Sequence, residues 1–61
     1  MTTREINARI RHGKTVTATY EVCGVKTYGR IIRARIQHGQ LQGMVLAIGK
    51  WFNITDPQVV L

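Results

Sequence analysis

Residues Ala8 to Thr15, ARIRHGKT, satisfy the relaxed phosphate-loop spacing: a small residue, four others, then Gly-Lys-Thr. That chemistry needs a glycine-rich loop that leaves a strand and opens a helix whose amides cradle the phosphates. Here the four intervening residues are Arg9, Ile10, Arg11 and His12, and the segment after Thr15 alternates like a strand. The match is therefore a coincidence of spacing. His12 and His38 stand at equivalent places before a glycine, with no Cys, Asp or Glu at metal-ligand spacing, so no metal site is expected. Cys23, also beside a glycine, has no histidine near it in the hairpin its neighbours predict and reads as an exposed turn thiol. Glu5, Glu21 and Asp56 are too scattered for a carboxylate pair. The expectation is a protein without enzymatic activity, cofactor or small-molecule substrate.

What the residue types do offer is charge. Nine Lys and Arg against three acids leave a net charge of +6, which favours a polyanionic partner. Lys26, Tyr28 and Arg30 alternate along one segment, and a bulge near Ile31 and Ile32 would carry Arg33 and Arg35 onto the same outward face. Guanidinium groups pair with phosphates and an exposed aromatic offers a stacking platform, the two components of single-strand nucleic-acid binding on curved sheets. Arg9 and Arg11, on the outward face of a predicted first strand, widen the basic region. The expected partner is DNA or RNA.

A competing signal comes from the segment after His38-Gly39. The face not used for the core carries Gln42, Met44, Leu46 and Ile48, and a Gly49-Lys50 hairpin adds Trp51. An exposed face this apolar marks a protein interface. The alternative function is thus a protein-interaction module or inhibitor that docks an acidic partner through Met44, Leu46, Ile48 and Trp51.

The elements that must position these residues follow from period-two alternation. Ile6, Ala8 and Ile10 alternate with polar residues, and so do Val16, Ala18, Tyr20 and Val22. Val25 to Gln37, Gln40 to Ile48 and Lys50 to Thr55 read as three further strands, and the end of the chain, PQVVL, as a last short one. Glycines at His12-Gly13, Cys23-Gly24, His38-Gly39 and Gly49-Lys50 supply hairpin corners. A two-residue loop at Cys23-Gly24 pairs Val22 with Val25 and Val16 with Ile31; one at His38-Gly39 pairs Ile36 with Leu41, Ala34 with Gly43 and Ile32 with Val45. In the long middle strand the inward set changes parity between Ile31 and Ile32, so a bulge near Gly29 to Ile32 is expected.

The first segment has two readings. Thr2 and Glu5 fit a capping box and Gly13 a helix stop, which would make residues 3–12 a short helix. Only Ile6 and Ile10 fit its apolar stripe, against three matches for a strand, and ARIRHGK resembles ARIQHGQ at 34–40, so the strand is preferred. The expected fold class is all-β: one domain over 1–61, a small five-stranded antiparallel meander curled into an SH3-like barrel, with a short N-terminal helix as the alternative to strand 1. The resemblance to SH3-like and other small barrels is one of outline, without a family motif. A chain this short has a marginal core, often supplemented by association, so a homo-oligomer is expected. With no apolar run of signal-peptide or membrane-span length, so are a cytoplasmic location and no membrane partner.

Overall fold

Thr2 and Glu5 do close a capping box, and it opens a helix. In the computed structural model, which describes residues 1–60, α1 spans Thr3–Arg11. The Thr2 hydroxyl accepts from the Glu5 N–H, and the Glu5 carboxylate accepts from the Thr2 N–H. At the other end the Gly13 N–H bonds the Ile10 carbonyl and the Lys14 N–H bonds the Arg9 carbonyl, with Gly13 at φ 82°. This is the Schellman stop, so orphan groups are satisfied at both ends within fourteen residues. The strand expected from Ile6, Ala8 and Ile10 is thereby corrected. Ile6 and Ile10, one helical turn apart, turn to the sheet instead, and Ile6 is fully buried.

Five strands follow: β1 Thr15–Val22, β2 Val25–Gln37, β3 Gln40–Val45, β4 Lys50–Asn53 and β5 Thr55–Val60. They form one antiparallel sheet in the order β4-β3-β2-β1-β5. The first four strands are a meander, and β5 returns to the free side of β1. The β1–β2 hairpin turns at Cys23 and Gly24 and the β2–β3 hairpin at His38 and Gly39, all four residues at positive φ. Two left-handed central residues define the two-residue turn whose twist suits adjoining strands, and the register is the expected one: Val22 with Val25, Val16 with Ile31, Ile36 with Leu41 and Ala34 with Gly43. The pairing of Ile32 with Val45 is corrected to Ile31 with Val45, because Ile32 is the extra residue of a bulge between Ile31 and Arg33.

Two other boundaries also move. β3 ends at Val45 rather than at Ile48, since Leu46 to Gly49 form a turn in which the Gly49 N–H reaches back to the Val45 carbonyl at 2.7 Å. The segment expected as one strand from Lys50 to Thr55 divides at Ile54. Ile54 is buried and its N–H bonds the Leu41 carbonyl on β3, while the next residue, Thr55, pairs with Thr19 on β1. One residue thus joins strands on opposite edges of the sheet. The sheet must curl for that connection to exist, yet β4 and β5 form no ladder with each other, so it stays open.

The core inside the curl is Ile6, Val16, Ala18, Tyr20, Ile31, Ala34, Val45 and Ile54. Gly43 sits among them for want of room: a Cβ there would lie 3.0 Å from Ile31 Cγ2 and 3.1 Å from Ile54 Cδ1. No helix is long and apolar enough to cross a membrane.

Candidate nucleic-acid interface

The Ile32 bulge decides which way the arginines of β2 look. Ahead of it Ile31 faces the core at 1% exposure, and beyond it Ala34 does so at 3%. Their inward parity is preserved because the extra residue flips the alternation. Lys26, Tyr28, Arg30, Arg33 and Arg35 consequently share the outward face, all exposed apart from the half-buried Arg35. The two arms of the strand differ in what faces them. Lys26 lies opposite Glu21, whereas Arg30 lies opposite Thr17 and Arg33 opposite Met44, with no acid in either pair.

Tyr28 is tied down at its tip. Its hydroxyl accepts from Thr17 Oγ1 and donates to Gln58 Oε1, both at 3.1 Å, so the side chain reaches over β1 toward β5 while the residue remains 57% exposed.

Arg35 is held more tightly. Its Nε donates to Gln42 Oε1 at 3.0 Å, and its guanidinium lies 4.1 Å from the centroid of the Trp51 ring. Gln42 in turn donates from Nε2 to Asn53 Oδ1 at 3.0 Å. Arg35, Gln42 and Asn53 are cross-strand neighbours on β2, β3 and β4, so one polar ladder and one cation–π contact fix four outward side chains together.

Arg9 and Arg11 reach the surface from the last turn of α1, not from a strand. Arg11 and Arg33 line one hollow of about 350 Å³ together with Asn7, Ile10 and Ile32. Helix and sheet thus present a basic pair across an apolar floor. Arg9 is exposed on the same helix but does not line that hollow.

Of the apolar strand face expected from Met44, Leu46, Ile48 and Trp51, Met44 and Trp51 lie on strands. Met44 and Trp51 are a half-buried cross-strand pair on β3 and β4. Leu46 and Ile48, 52% and 42% exposed, sit in the turn between those strands, because β3 has already ended.

A larger open groove of about 560 Å³ lies where β4 approaches β1. Tyr20 and Phe52 line it, with ring centroids 5.1 Å apart, and so do Trp51, Gln42, Asn53, Glu21 and Lys26. Gln42 is placed on the outward face by its sequence alternation but given no role there, and Asn53 is not singled out, though its place on the outward alternation of the neighbouring strand was the available signal. Asn7, whose carboxamide bonds the backbone of Ala34, carried no such signal.

The remaining reactive side chains are spread apart. His12 caps α1, His38 and Cys23 are exposed turn residues, Glu5 belongs to the capping box and Asp56 sits at positive φ in β5. Among the described residues no three His, Cys, Asp or Glu side chains cluster as a metal site. No family model, curated protein or solved structure matches the chain.

Proposed function

We propose that this is a small, non-enzymatic nucleic-acid-binding protein whose phosphate contacts come from Lys26, Arg30, Arg33 and Arg35, with Arg11 added from α1. The observation that carries the reading is the Ile32 bulge, which aligns the arginines of both arms of β2 on one outward face. Guanidinium groups on a fixed sheet bind phosphate oxygens with little further loss of freedom, and the net charge of +6 draws a polyanion toward them. The split of Met44 and Trp51 from Leu46 and Ile48 lends less support to a protein-docking face.

The test is a titration of labelled DNA and RNA oligonucleotides across a range of salt. Five phosphate contacts release counterions with a log–log slope of about −3.5 on a single strand. The double variant Arg30→Ala, Arg33→Ala should weaken binding and flatten that slope; undetectable binding at low salt, or an unchanged slope in the variant, overturns the reading.

Self-association belongs to the same proposal. β4 and β5 are the two sheet edges, and each leaves one side of its backbone without a strand partner. A second copy supplies the complementary edge. Light scattering that returns the monomer mass at every concentration tried would remove this part.

A further inference from the structure

No arginine of the basic face lines the groove between β1 and β4, although Arg35 lies against its Trp51, and the lining is of a different kind. We propose that it holds one unpaired nucleobase of a bound single strand, an inference that rests on the nucleic-acid reading above. At about 560 Å³ it falls within the range of small-ligand sites, about 300–1,000 Å³. Its lining combines what a base needs. The half-buried Phe52 and Trp51 supply aromatic surface for the base plane, with the buried Tyr20 packed against Phe52, and Gln42, Asn53 and Glu21 supply hydrogen-bonding groups for its edge. Lys26, on the same wall as Glu21, is placed for the adjoining phosphate.

The site is organised before any ligand arrives. Arg35 lies against the Trp51 ring, and the chain of bonds from Arg35 Nε through Gln42 to Asn53 Oδ1 orients both carboxamides. The Asn53 Nδ2 donor is not consumed by that ladder. A purely apolar ligand would leave these polar groups unpaired, and a polyanion without bases would leave the rings unused. A base inside a duplex has both its faces and its pairing edge already engaged, so the groove selects single strands.

Trp51 is the only tryptophan of the chain, so its emission reports on this groove directly. The experiment titrates the full chain with a short single strand, a duplex of the same length and an abasic strand with the same number of phosphates. Fluorescence anisotropy of each labelled strand is followed alongside Trp51 emission. The expected result is quenching by the single strand alone, which also binds about five- to 150-fold more tightly than the abasic strand, the span of one base–aromatic stack. Asn53→Ala, at an exposed position, should shrink that preference and leave the circular dichroism spectrum unchanged, whereas Arg33→Ala should weaken all three ligands alike. Equal affinity for single and abasic strands, with Trp51 emission unmoved, overturns the base site while the phosphate reading stands. Binding of none of the three at low salt sinks both.

Discussion

The side-chain amide of Asn7 stands in for a missing strand beside Ala34. Its Oδ1 accepts from the Ala34 N–H at 2.8 Å and its Nδ2 donates to the Ala34 carbonyl at 2.9 Å. The ladder between β1 and β2 stops at Val16 and Ile31, so the far arm of β2 has β3 on one side only. A carboxamide has the same donor and acceptor as a peptide group, and α1 uses it to continue the sheet. The docking that results brings Arg11 beside Arg33 and covers Ile6.

Asn7→Ala should therefore destabilise the fold by about 2–3 kcal/mol, since a buried donor and acceptor both lose their partner at about 1–3 kcal/mol for each unsatisfied group and better helix propensity returns only a fraction. Asn7→Asp keeps the acceptor but sets a carboxylate against the Ala34 carbonyl, so it should not rescue. Chemical denaturation of both variants checks this; wild-type midpoints would show that the amide is dispensable.

Gly43→Ala tests the packing that closes the curl. Its new methyl group would press on Ile31 and Ile54 at 3.0–3.2 Å, and overpacking of a small core costs about 1–3 kcal/mol. Combining it with Ile54→Val, which removes the Cδ1 contact, should recover part of the loss in thermal denaturation. An additive double variant would contradict the contact.

Cys23 and His38 occupy left-handed positions at φ 51° and 52°. Such a backbone costs an ordinary side chain about 1–2 kcal/mol, and asparagine relieves part of it. Cys23→Asn and His38→Asn should each raise the melting temperature, corresponding to about 0.5 kcal/mol against that penalty. A lowered melting temperature for both would mean that these side chains contribute more than their turn geometry suggests.

Acid should loosen α1 before it affects the sheet. The Thr2 N–H, then the Thr2 hydroxyl, hold the Glu5 carboxyl below the usual glutamate range; desolvation opposes them, and the N-terminal charge and Arg9 add to the lowering. A folded-state pKa below the unfolded one means that the helix-capping contribution is complete above the unfolded value and is lost as pH falls through the lowered one. Nuclear magnetic resonance titration of residues 2–8 should show this transition in the native chain and not in Glu5→Gln. A transition that persists unchanged in Glu5→Gln would place its origin elsewhere.

Much of the fold follows from local chemistry that is visible along the chain. Two glycine corners with two-residue loops determine the β1–β2 and β2–β3 registers, and the parity change at Ile31 and Ile32 demands a bulge, because inward and outward positions alternate strictly. The outward placement of Lys26, Tyr28, Arg30, Arg33 and Arg35 comes with it. Where β3 ends was not legible in the same way. Leu46 and Ile48 keep the apolar alternation, but the chain needs them in the turn that starts β4.

The two similar heptads mark the boundary most clearly. ARIRHGK is the end of a helix and ARIQHGQ the end of a strand, although Gly13 and Gly39 are both left-handed. Caps on either side of the first heptad were readable at Thr2, Glu5 and Gly13, yet a capping box and a three-match alternation are of similar strength taken alone. The decision came from across the molecule. As a helix the segment sets Asn7 against the open side of the far arm of β2 while Ile6 enters the core, and Ala34 lies 27 residues away from Asn7. Local sequence thus determined where the chain turns and which side of each strand is charged; the sheet, by leaving one backbone edge open, determined what the N-terminal segment had to become.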